Sequence, residues 1–125
     1  VNTPDASDVY RIQKRMKEAA RKMQLMASEV GMARTVERFD KDRRKDLLAR
    51  FVVTRLRAGD SAAAAEQYAR ADENYQAQLK GLSDVLEMAH TTLTLYDVEK
   101  CAWETCRSLL SMQRQMLQTL PGTED

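Results

Sequence analysis

Between residues 5 and 120 the chain contains no proline, and apolar side chains recur there at alternating steps of four and three. A repeat of 3.5 residues keeps one stripe of a helix facing a partner helix, so the pattern demands helices packed along a seam. Ile12, Met16, Ala19, Met23, Met26, Val30 and Ala33 form the first stripe. Tyr68, Asp72, Tyr75, Leu79, Leu82, Leu86, Ala89, Leu93 and Tyr96 form the second, with Asp72 as a lone polar member that can set register. Val98, Ala102, Thr105, Leu109, Met112 and Met116 form a third. No long stretch alternates with the period of two that a strand requires.

The punctuation is sparse. Residues 1–5 read as a frayed lead-in, and Ser7 or Asp8 is placed to cap the first helix. Gly31 marks a bend or short break. From 37 to 46 every residue except Phe39 is charged, so the segment reads as exposed helix or a joint, with only Phe39 suited to a core. The pattern resumes at Leu47, Leu48, Phe51, Val52 and Leu56. Gly59-Asp60 is the clearest stop: glycine takes the left-handed conformation that ends a helix, and Asp60 or Ser61 caps the next. With no residues to spare for a loop, this predicts a tight antiparallel hairpin. Thr91, Thr92 and Thr94 weaken the second helix, Asp97 is placed to cap a third, and Pro121-Gly122 stops it. The expected fold is all-α: a long antiparallel helical hairpin with an additional C-terminal helix, bundle-like. It forms a single helical domain over 1–120, with helices at about 7–36, 37–58, 60–95 and 97–120 and a tail at 121–125.

Charge is uneven. Residues 1–58 hold 15 Lys and Arg against 8 Asp and Glu, and residues 59–125 hold 5 against 11. Such halves attract each other within a chain or between copies, and the basic half can meet phosphate. Arg11, Lys14, Arg15, Arg21 and Lys22 flank the first Met-rich stripe. A basic amphipathic helix of this kind lies on an anionic membrane, although a solvated face behind a packed stripe has the same composition. Arg43, Arg50 and Arg57, seven apart, form a row that Arg44 and Arg55 widen and that Asp42 and Asp46 partly neutralise. The row suits the acidic half of another subunit or a track of phosphates, with nucleic acid as a weaker reading. The seven methionines suit either a core or an adaptable groove, and Trp103 suits a hairpin or partner contact.

The parts for catalysis are missing. His90 is the single histidine and reads as a surface or interface residue. Cys101 and Cys106 lie about 140° apart around a helix, a poor disulfide geometry, so free thiols in a reducing compartment are expected. No metal-ligand spacing and no glycine-rich phosphate loop occurs. The expectation is a non-enzymatic, cytosolic-type binding or assembly module without cofactor or metal. No run of apolar residues approaches the ~20 that span a bilayer, and no signal-peptide pattern opens the chain. The first residue is Val, which suggests a fragment or a processed chain.

The stretch RLRAGDSAAAAEQYARADENY, residues 55–75, resembles the first hairpin turn of ESCRT-III core domains, with Gly59 and Asp60 as the turn. TTLTLYDVEKCAWETCRSLLSM, residues 91–112, is similar to a later segment of the same family, in the manner of its late-acting regulatory subunits. The resemblance implies a peripheral subunit that polymerises with itself or with homologous subunits on endosomal or other membranes and takes part in their remodelling. Its basic first helix would face lipid. AGDSAAAAEQYARA also looks like one helical pair of a tetratricopeptide or MIT-type module, through Gly59, Ala64, Tyr68 and Ala71, but only one such unit occurs. The alternative function is a soluble helical-bundle or coiled-coil adaptor that binds a partner protein's helix.

Overall fold

The computed structural model describes residues 6–118, all of them in helices apart from short connections. Three α-helices occur among these residues, and no strand: α1, Ala6–Arg57; α2, Ala62–Ala71; α3, Glu73–Gln118. Residues 1–5, and with them the lead-in, lie outside the described range, as do Leu120, Pro121-Gly122 and the tail. The chain divides into two compact units, one of residues 29–93 and one of residues 1–28 with 94–125, and α1 and α3 contribute to both.

The unit of residues 29–93 contains the turn. Two residues past the end of α1 stands Gly59, whose φ of 100° is open to glycine and strained for other residues. The Gly59 N–H donates to the Leu56 carbonyl at 3.0 Å and the Asp60 N–H to the Arg55 carbonyl at 3.2 Å. These two bonds form a Schellman cap, which satisfies carbonyls that the end of a helix leaves open. Residues 58–61 therefore make a real connection, not the loop-free reversal expected. Ser61 caps α2 by accepting from the Ala64 N–H at 3.3 Å.

Asp72 does not occupy a seam. It adopts extended backbone (φ −67°, ψ 129°) and separates α2 from α3. Its Oδ1 accepts from the N–H groups of Asn74 at 2.8 Å and Tyr75 at 3.2 Å, two donors that the start of α3 would otherwise leave unpaired. α2 is consequently an element of its own. Its tight packing rests on Ala65 and Ala69, both essentially inaccessible and four residues apart. Tyr68, assigned to the seam by spacing, stands exposed with the Arg55 guanidinium 4.6 Å from its ring centroid. Arg55 Nε also lies 2.8 Å from Asp60 Oδ2, so one side chain ties α1 to both the turn and α2.

Beyond the turn α1 and α3 run antiparallel. Phe51 meets Tyr75 edge to face at 5.6 Å, Arg44 donates to Ser83 at 3.1 Å, and His90 Nε2 lies 3.3 Å from Glu37 Oε2. Val30, Ala33, Leu47, Tyr75 and Ala89 are buried along this seam. The charged segment 37–46 is uninterrupted helix, one of the two readings its sequence leaves open, and the boundary expected between residues 36 and 37 is absent because the seam passes through in phase. Asp40 and Arg44 are half-buried and pair at 2.8 Å, whereas Phe39 points outward at 43% exposure. Gly31 likewise sits inside continuous helix.

In the other unit Ala19 is fully buried and Ile12, Met16, Met23 and Met26 are half-buried, as their spacing predicts. The α3 side departs from expectation. No helix ends at residues 95–97, so Asp97 caps nothing, and the buried or half-buried positions of the continuing helix step by three from Leu93 to Tyr96 and again to Glu99. Glu99, Cys106 and Leu110 are buried with Trp103 half-buried, while Val98, Leu109 and Met112 are exposed. A restart at Asp97 would have turned the stripe to those exposed positions.

Candidate interaction surface

Ser7 and Asp8 lie in the first turn of α1, where a carboxylate favours the positive end of the helix dipole. The basic residues that follow separate into two groups. Arg11, Lys14 and Arg21 are exposed. Arg15 and Lys22 instead reach Glu99 on α3, with Arg15 Nη1 3.1 Å from Oε2 and Lys22 Nζ 3.4 Å from Oε1. The bond from Arg15 holds the Glu99 carboxyl below its ordinary value against the opposing effect of desolvation, and Glu99 in turn raises Arg15. The five cations thus do not form one lipid-facing set, and the Met-rich side of that helix is the packed side.

Arg43, Arg50 and Arg57 are all exposed on one face of α1, and none has an ion-pair partner among the described residues. Asp42 and Asp46 make no ion pair with them. Arg44 and Arg55 do not widen the row, because their guanidinium groups are turned to Asp40 and Asp60.

Arg43 and Arg50 stand beside a groove of about 490 Å³ between α1 and α3, with Leu47, Gly81, Leu82 and Val85 along it. Gly81 opens the groove: a Cβ placed there would meet nothing within 4 Å. The same face of α1 carries a second run of four-three steps, offset from the seam. Met32, Phe39, Asp46 and Val53 are spaced by seven, with Val36, Arg43, Arg50 and Arg57 interleaved. Met32 is 69% exposed, and Met88, one turn beyond Val85 on α3, is 71% exposed. The seven-residue spacing of Met32, Phe39 and Val53 is legible in the sequence, where the more apolar first seam is the stronger signal.

No group of three or more His, Cys, Asp or Glu among the described residues is placed to hold a metal ion. Cys101 is exposed and Cys106 buried, both as free thiols. No helix among the described residues is long and apolar enough to cross a membrane. The fold class is an all-α helical hairpin with long helices. Comparison with protein-family models, with curated proteins and with solved structures returns no match.

Proposed function

We propose that this chain is a non-enzymatic, cytoplasmic assembly module that works by packing a helix of another protein chain against its hairpin. The observation that carries this reading is the mixed outer stripe of α1. The face that carries Met32 and Phe39, both open to solvent, continues into Arg43 and Arg50 at the groove, and Val85 and Met88 of α3 are exposed as well. Single exposed apolar residues are ordinary, but a periodic set on adjacent helices is what a further helix packs against.

A photo-cross-linking residue placed at Phe39 in the full chain tests the reading, with the same residue at exposed Lys45 as control. Discrete protein adducts at position 39 that are missing at position 45 are expected. Equal labelling at both positions, or none at either, would count against helix docking.

A second reading, polymerisation on anionic membranes in the manner of ESCRT-III subunits, draws on the long hairpin and on exposed Arg11, Lys14 and Arg21. It requires co-sedimentation with anionic vesicles that weakens with salt and is lost in Lys14→Glu/Arg21→Glu. Absence of binding at low salt removes it.

A further inference from the structure

The groove beside Arg43 and Arg50 has a composition that selects its occupant. Its walls include Leu47, Leu82 and Val85, which favour an apolar ridge. Gly81 leaves room for a ridge to settle close to the α3 backbone. On the α1 side stand guanidinium groups without carboxylate partners among the described residues, spaced by seven and continued by Arg57. Seven residues of helix advance about 10.5 Å, so a docked helix with carboxylates at the same interval meets Arg43 and Arg50 together.

From this we infer that the groove of the 29–93 unit binds an acidic amphipathic helix of a partner protein, its apolar stripe on Leu47, Leu82 and Val85 and its carboxylates on Arg43 and Arg50. The inference rests on the helix-docking reading and specifies the chemistry of the partner. Two observations set other occupants aside. A second copy placed two-fold on the same face would bring Arg43, Arg50 and Arg57 against themselves, and like charges in apposition disfavour that contact. A nucleic acid would set its phosphates against the apolar floor of Leu47, Leu82 and Val85, where only counterion release at the arginines would hold it.

The test uses the full chain and two synthetic helical peptides that share one leucine stripe. One carries Glu at seven-residue intervals beside the stripe, and the other carries Lys at the same places. Fluorescence anisotropy is expected to show binding of the Glu peptide that falls with added salt, and no comparable binding of the Lys peptide. Arg43→Glu/Arg50→Glu should weaken the Glu peptide by about tenfold or more and transfer preference to the Lys peptide. Gly81→Leu, which fills open space on an exposed helix face, should weaken binding while the circular dichroism spectrum stays the same. Equal affinity for both peptides, indifference to the arginine substitutions, or preference for a single-stranded oligonucleotide would overturn the inference. If the chain instead self-associates in the ultracentrifuge and Gly81→Leu disperses it, the acidic-partner inference fails and helix docking survives between copies. If neither peptide binds, the chain is monomeric and position 39 gives no adduct, both fall.

Discussion

Glu99 shows how one buried carboxylate organises its neighbours. Only 8% of the residue is exposed, and its two oxygens are divided between Arg15 and Lys22. Because its folded-state value is depressed, its contribution to stability is complete above the ordinary carboxylate range of about 4.3 and declines as pH falls through the lowered value. Arg15, raised above its ordinary value by Glu99, stays charged in folded and unfolded chain alike throughout the acid range and adds no slope there. Glu99→Gln should therefore melt at lower temperature than the parent at neutral pH. The gap should close on acidification, followed by thermal denaturation across pH 2–7. A gap independent of pH would show that the ion pairs are not its source. The glycines offer an opposed pair of tests. Gly59→Ala places a side chain at positive φ and should cost about 1–2 kcal/mol in urea unfolding. Gly31→Ala, in continuous helix with open space around it, should add about 0.5–1 kcal/mol.

Among the elements, α2 depends most on its caps. It has 10 residues, fewer than an isolated helix needs, so its helicity comes from Ser61, Asp72 and the burial of Ala65 and Ala69. Asp72→Ala leaves the Asn74 and Tyr75 donors without their acceptor and should destabilise the chain by about 0.5–2 kcal/mol. Asp72→Asn, which keeps an acceptor, should recover most of that loss, with equilibrium unfolding as the measure. The two long helices persist for another reason. In α1 the charged segment presents Asp40 and Arg44 to the seam as a pair, with Glu37 reaching His90, so the packing phase survives a stretch almost without apolar residues.

For the molecule as a whole, exposed apolar surface and folding stability are separable. Phe39→Gln/Met88→Gln removes two outward side chains that no seam uses. Stability should change by no more than about 0.5 kcal/mol per site, whereas docking of a helix to this face should weaken. A large loss of stability in this double variant would mean that both residues pack inside the unit after all. Chemical denaturation and peptide anisotropy on the same sample decide between the outcomes.

Periodicity in the sequence determined the helical class, the identity of the first seam from Ile12 to Ala33, the reversal at Gly59-Asp60 and the Tyr75 to Tyr96 stripe. These follow from rules that act over one or two turns, where backbone preference and spacing suffice. Three features were settled by tertiary structure alone. Asp72 is a cap because α2 packs on its alanines and has to part from α3. The helix runs through Asp97 because the phase of the partner seam favours Glu99, Cys106 and Leu110 over a restart. Arg15 and Lys22 are tied to α3 because a carboxylate 77 or more positions away in the chain lies beside them. Each depends on which side chains meet across a fold, a relation that local spacing does not encode. The outward stripe is intermediate: its spacing was present in the residues, but only the structure distinguishes the stripe that is packed from the one left open.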